Sequence, residues 1–371
     1  MDTSAIRIEN PYIAGLTLEV GFDNANPREA FEVQVRGDGT CVVHQFIEPE
    51  AAEGYAFHLH LALENAGREP VTVPLQIHWA EREYDFCYDY MYVGYDSGRD
   101  WKMLSTRSEK AITQLQLVLP RGRHLLCCHP KFDTGDYLAM LEQYGGAPGF
   151  KRVDVAKTPE GRPVACLRLG NPKGRKTVIT TRAHGYETAG AYCLAGWLKY
   201  ISKHATKRTS PLDALDLYVF PMVNPDAVAA GHCCTAPSGV NFGRELASRA
   251  DEDSGAEGLT EFIHGLKPAF YVDMHNNTGP HLVDAFRSTD ERILEAFAKK
   301  APDRSRDQKA WAFQKVQFPE GYMLTECERR YGTLPLLTEF PWYTRLPGDM
   351  MAHGSQFLRA LLPLLAEWRY V

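Results

Sequence analysis

Thr177-Val178-Ile179-Thr180-Thr181-Arg182-Ala183-His184-Gly185-Tyr186-Glu187 joins an apolar run of strand length directly to an imidazole and a carboxylate three positions apart. Three later runs repeat the arrangement: Leu217-Tyr218-Val219-Phe220-Pro221-Met222-Val223, Ala269-Phe270-Tyr271-Val272-Asp273-Met274 and Leu334-Pro335-Leu336-Leu337-Thr338. Each is followed at once by polar, potentially reactive residues. Longer helical patterns lie between them, as in Leu194, Trp197, Leu198 and Ile201 after Glu187. Strand-like runs alternating with helical ones predict an α/β domain built on a central sheet flanked by helices. In open sheets of this kind the ligand site lies outside the carboxyl ends of the strands, so residues just after several strands converge in space.

The rhythm is different upstream. From about residue 15 to 130 the segments are short and β-rich, for example Phe57-His58-Leu59-His60-Leu61-Ala62-Leu63 and Gln114-Leu115-Gln116-Leu117-Val118-Leu119. Apolar and polar residues alternate along them, as in half-buried strands. Gly37-Asp38-Gly39, Asn65-Ala66-Gly67 and Pro120-Arg121-Gly122 divide them at the spacing of an antiparallel β-sandwich. The Gly/Pro stretch Tyr144-Gly145-Gly146-Ala147-Pro148-Gly149 marks the change, so the expected organisation is a β-sandwich over residues 1–145 and the α/β domain over residues 146–371. A chain of 371 residues is comfortable as two domains.

Composition excludes several function classes. With 44% hydrophobic and 24% charged residues the chain has ordinary globular usage. Its formal net charge is -6, and no Lys/Arg run is long enough to track phosphates, so nucleic acid is not an expected partner. No apolar run approaches the ~20 residues that span a bilayer, and the start Met1-Asp2-Thr3-Ser4-Ala5-Ile6-Arg7 lacks the pattern of a secretory signal. The nine Cys are odd in number and without C-x-x-C spacing, which suggests reduced thiols and a cytoplasmic location. Nothing in the sequence speaks to oligomeric state.

His184 and Glu187 stand at i and i+3 where a helix is expected to begin, so both can face one metal ion. Alone the pair also fits an exposed polar turn. His275 follows the strand that ends in Asp273-Met274, 88 residues beyond Glu187. A near pair with a distant third ligand is how a catalytic zinc site keeps its fourth position open. Asp273, two residues before His275, leans to the same strand face and could orient the imidazole, or simply cap the strand end. Glu339, after Leu336-Leu337-Thr338, is the candidate general base, because hydrolysis at zinc needs a separate proton acceptor.

These residues resemble the zinc metallocarboxypeptidases, and within them the cytosolic carboxypeptidase-like branch in which a β-sandwich precedes the catalytic domain. His184 and Glu187, Asn224-Pro225-Asp226, Gly239-Val240-Asn241-Phe242-Gly243-Arg244, Asp273 to His275 and Thr338-Glu339 follow the family's order across most of the chain. Asp100-Trp101-Lys102 and Gly122 to Phe132 are looser likenesses to the branch. The resemblance implies one zinc ion and a mixed catalytic sheet. It implies substrate contacts by Asn241 and Arg244, the latter forking onto a terminal carboxylate. It implies a substrate-closing tyrosine, Tyr322 in preference to Tyr331.

Two departures stand out. Gly243 occupies a position where the family usually has Asn. Gly231-His232-Cys233-Cys234 replaces a Gly-Asn-x-Arg stretch whose Arg steadies the oxyanion, so that Arg becomes Cys234, with His232 as an alternative donor. Losing such a donor costs about a hundred- to a thousandfold in rate. Three readings follow: a carboxypeptidase cleaving a peptide's C-terminal residue; a zinc amidohydrolase of small N-acyl amino acids, prompted by Cys234 and by Asp273-Met274-His275-Asn276-Asn277-Thr278, which resembles deacylases on the same scaffold; and a catalytically weak zinc-binding module.

Overall fold

The computed structural model describes residues 5–25, 32–44, 58–79, 89–109, 111–204, 211–276, 283–301 and 311–369. Two sheets form the first part. One holds six strands in the order Ile6–Glu9, Leu16–Val20, His60–Asn65, Gly122–Cys127, Tyr90–Gly94 and Asp100–Ser105, every neighbour antiparallel. The other holds Glu32–Val35, Cys41–His44, Val71–His78, Ile112–Leu119 and Arg107–Glu109. Alternation sets the buried faces: Val73, Leu75 and Ile77 point into the core while Thr72, Pro74 and Gln76 do not. The expected antiparallel pattern has one exception, because Cys41–His44 pairs with Val71–His78 in parallel.

The second part is an eight-stranded mixed sheet in the order Phe150–Lys157, Pro163–Gly170, Leu215–Phe220, Arg175–Thr181, Phe270–His275, Leu334–Glu339, Ala285–Ser288 and Ala312–Lys315. Its middle runs parallel from Leu215–Phe220 through Arg175–Thr181 and Phe270–His275 to Leu334–Glu339. The flanks Pro163–Gly170 and Ala285–Ser288 join antiparallel. All four strands expected from the apolar runs are present, and three of them end side by side, which is what gathers the polar residues that follow them.

Each strand of this sheet divides its side chains between two cores. Ile179, Val219 and Val272 belong to one apolar cluster with the helices Ala189–His204 and Pro347–Glu367, whereas Val178, Phe220 and Tyr271 belong to another with the helices Ser254–Leu266 and Met323–Tyr331. The first cluster runs without a break into the two-sheet region through Leu61, Tyr92, Leu126 and Tyr137. A polar tie crosses the same junction: the Tyr92 hydroxyl donates to the carbonyls of Trp342 (2.6 Å) and Arg345 (2.8 Å).

Two glycines let the helices of the first cluster touch. A Cβ on Gly196 would meet the Met351 carbonyl oxygen at 1.9 Å, and one on Gly354 would meet the Cys193 Cα at 2.1 Å. The eight cysteines within the described residues are buried and free of disulfides; Cys87 lies outside them. Among the described residues no helix is long and apolar enough to cross a membrane.

Candidate metal and catalytic site

After strand Arg175–Thr181 the chain turns sharply at Arg182, which adopts φ +61° and is fully buried. His184 and Glu187 then lie in a turn closed by the Glu187 N–H donating to the His184 carbonyl at 3.3 Å, and the helix begins only at Ala189. This corrects the expectation that the pair opens the helix. The helix start is set from another strand, because the Ala189 N–H donates to Asn276 Oδ1 at 2.9 Å.

The loop carrying Cys233 and Cys234 backs this turn. The Tyr186 N–H donates to the Cys233 carbonyl, and a Cβ on Gly185 would meet the His232 carbonyl oxygen at 2.5 Å, so this position admits only glycine. Asn224 caps the following helix Pro225–Ala230 by accepting from the Ala227 N–H and donates its own amide to the Ala183 carbonyl at 3.3 Å. Asp226 is buried and accepts from the Thr158 hydroxyl (2.7 Å), the Glu160 N–H (3.1 Å) and Arg162 (2.8 Å). The Asn-Pro-Asp motif is therefore scaffolding for the turn.

His184, Glu187 and His275 converge: one ligand atom from each lies within 4.8 Å of the others. Nδ1 of His184 and Nδ1 of His275 each sit 2.8 Å from one oxygen of Glu187. On the far side of the rings, His184 Nε2 lies 3.1 Å from Asn241 Oδ1, and His275 Nε2 lies 2.8 Å from Asp273 Oδ2. Each ring thus faces an acceptor at both nitrogens, and the groups at Nε2 would fix the tautomer that turns an Nδ1 lone pair toward a bound ion. Asp273 is itself held by the Thr180 hydroxyl at 2.7 Å. Burial alone would raise the Glu187 pKa, but the two imidazoles outweigh it and hold the carboxylate well below its usual range.

Glu339 pairs in register with His275 on the neighbouring strand, and the Phe340 N–H donates to the His275 carbonyl at 3.0 Å. Burial pushes the Glu339 carboxyl up to about 7, against the opposing pull of His275. Arg287 reaches it from the adjacent strand with Nη1 at 3.2 Å, and Gln314 steadies that guanidinium at 2.8 Å. A carboxylate poised near neutrality beside a His/Glu/His cluster has the physical character of a proton acceptor.

The remaining candidates are distributed unevenly. Asn241 directs its carboxamide oxygen at His184 and at the N–H groups of Gly243 and Arg244, both at 3.1 Å. A Cβ on Gly243 would meet His184 Nε2 at 2.4 Å, which explains why no side chain stands there. Arg244 follows immediately and is exposed. The turn before Tyr322 packs on it, since a Cβ at Gly321 would meet the Arg244 carbonyl oxygen at 2.5 Å. Tyr322 is half-buried and stacks on Phe318, whereas the Tyr331 hydroxyl meets His264 Nδ1 at 2.9 Å, among the residues covering the sheet's outer face. His232 directs Nδ1 at the Thr235 carbonyl within its own loop, and Cys234 is buried against Cys233 with the two Sγ atoms 3.6 Å apart. Asn277 and Thr278 lie outside the described residues.

Sequence reasoning missed Arg287, Thr180 and His129. Arg287 and Thr180 stand on strands beside residues already singled out, but neither carries a motif. His129 had a signal: it belongs to the stretch Gly122 to Phe132, and it stacks on Tyr186 with Nδ1 3.1 Å from the Tyr186 carbonyl.

Comparisons with known proteins bear on the fold and on one stretch of the chain. Residues 139–238 match the zinc carboxypeptidase family. A stretch of 115 residues, 30% of this chain, is 27% identical to the cytosolic carboxypeptidase-like protein 5 of Danio rerio; the match spans 12% of that relative's length. Among solved structures, the metallo-carboxypeptidase of Burkholderia cenocepacia superposes with a TM-score of 0.80 at 18% identity, covering 95% of this chain and 99% of that one. The metallo-carboxypeptidase of Pseudomonas aeruginosa, solved with (2-guanidinoethylmercapto)succinic acid, gives 0.77 at 17% identity over 95% and 100%. The chain thus has the fold of the metallo-carboxypeptidases, and its residues 139–238 carry the zinc carboxypeptidase family match.

Proposed function

We propose that this chain is a zinc-dependent metallocarboxypeptidase that hydrolyses a C-terminal amide bond of a peptide. The observation that carries this reading is the meeting of His184, Glu187 and His275 within 4.8 Å, with the half-buried Glu339 in register with His275 on the next strand. The donor set fits the metal: two imidazoles and one carboxylate are a common catalytic zinc set, and acceptors behind both rings orient them. Zinc bound there would act as a Lewis acid and lower the pKa of a coordinated water.

The chain's own residues do the rest. Asn241 and Asp273 hold the imidazoles in one tautomer. Glu339 accepts a proton and returns it to the departing amine, a role suited to a carboxyl near 7. Arg244, exposed beside the Gly243 backbone, receives the substrate's terminal carboxylate, and Tyr322 closes over it. Cys234 brings no charge to its loop; the cation that meets the base is Arg287. The buried free thiols agree with a reducing, cytoplasmic setting.

Cys234 supports a second reading, a zinc amidohydrolase of small N-acyl amino acids. Assaying a peptide panel against N-acyl amino acids separates the two, and turnover of the latter alone would overturn the first. Metal content by mass spectrometry should show one zinc per native chain and little in His184→Ala; undiminished zinc in the variant would refute the ligand assignment.

A further inference from the structure

Arg182 stands two residues before His184 with no exposed surface, and its Nε, Nη1 and Nη2 meet no acceptor among the described residues. A guanidinium stays charged in proteins, and an unpaired buried charge is among the costliest features a fold can carry. Its backbone adds to the cost, because φ +61° is unfavourable for a residue with a side chain. Both costs persist only if the surroundings determine this residue's place.

Those surroundings come from both parts of the molecule. Among the described residues, carboxylates whose charge acts on Arg182 are Asp23 and Asp133, from the first part and its connection, and the metal-site Glu187. Asp23 uses one oxygen to accept from the N–H (3.1 Å) and hydroxyl of Thr134, and its other oxygen, Oδ1, is buried without a partner among the described residues. The Thr188 hydroxyl, next to Glu187, is likewise buried and has no partner among those residues. Arg182 and Thr188 thus carry buried, unused donors and Asp23 a buried, unused acceptor whose charge acts on Arg182.

We propose that Arg182 is a positioning residue for the metal site: its buried guanidinium, neutralised across the junction by Asp23, fixes the turn that aims His184 and Glu187 at one ion. This rests on the zinc reading of His184, Glu187 and His275. Direct electrostatics predicts the opposite sign, because a cation near Glu187 repels a metal ion and removing it should tighten zinc binding. Positioning predicts weakening.

The experiment is zinc affinity by chelator competition, with thermal unfolding of the metal-free protein alongside, on the native chain, Arg182→Met, Asp23→Asn and the double variant. Arg182→Met should bind zinc at least about tenfold more weakly, in the range expected for groups behind metal ligands, while its metal-free Tm stays equal or rises because an unpaired buried charge has gone. Asp23→Asn should weaken zinc binding too, and lower the metal-free Tm by leaving the cation uncompensated. The double variant should be no worse in affinity than the weaker single one. Zinc affinity unchanged or tightened in Arg182→Met overturns the proposal, as do fully additive losses. If Arg182→Met does not fold, Asp23→Asn alone decides, and native zinc affinity there overturns the pairing. A native chain that binds no zinc refutes the metal reading itself, a result distinct from any of these.

Discussion

Two arginines bracket the strand Arg175–Thr181 and use their charge in opposite ways. Arg175, at the lower end, donates to the carbonyls of Leu365 (2.5 Å), Ala366 (2.6 Å) and Trp368, capping the C-terminal helix Pro347–Glu367, and stacks over Phe270. Unsatisfied carbonyls at a helix end are natural sites for a cation. Arg182, at the upper end, is wholly buried and meets no acceptor among the described residues. One strand thus contributes stability at its entrance and tolerates frustration at its exit, where the candidate chemistry lies. Local cost concentrated at strand ends is what a site imposes on an otherwise consistent fold.

If that division holds, the largest effect belongs to the upper end. Glu339→Gln should lower peptide hydrolysis by about two to four orders of magnitude while zinc content stays native, measured by steady-state kinetics and metal analysis. Retained activity would remove Glu339 from the mechanism. Arg175→Met should act in reverse, lowering Tm by a few degrees through the lost helix cap with zinc affinity unchanged. A loss of zinc in that variant would erase the distinction between the two ends.

A smaller effect concerns pH. Glu339 must be ionised to accept a proton, so activity should fall as pH drops through its pKa; a bound cation moves that limb below the value of about 7 set by burial. Arg287 favours the ionised form, so Arg287→Gln should shift the limb to higher pH, by up to about one unit. An unmoved limb would mean that another group controls it.

The smallest effect appears without metal. A carboxyl raised above its unfolded value costs stability as pH climbs from the ordinary carboxylate range through about 7, and the cost then levels off. Metal-free Glu339→Gln should therefore gain about 1–2 °C in Tm over the native chain at pH 8 and nothing at pH 4. A gain equal at both would exclude ionisation as the cause.

Much of this was legible in the sequence because strand ends announce themselves. His184, His275 and Glu339 each follow an apolar run, and adjacency of three parallel strands is what brings them together. Asp273 was legible from its two-residue offset. The start of the helix was not, because the group that caps Ala189 is Asn276, which follows another strand, Phe270–His275. Arg287 was hidden in a four-residue strand whose partner only the sheet reveals. The parallel pairing of Cys41–His44 with Val71–His78 was equally hidden, since alternation reports a strand's faces and not its direction.

Gly243 limits what its loop can become. Because His184 Nε2 lies 2.4 Å from where a Cβ would stand, any side chain placed at this position must turn the ring, so the shape of the loop and the aim of one candidate ligand form a single variable.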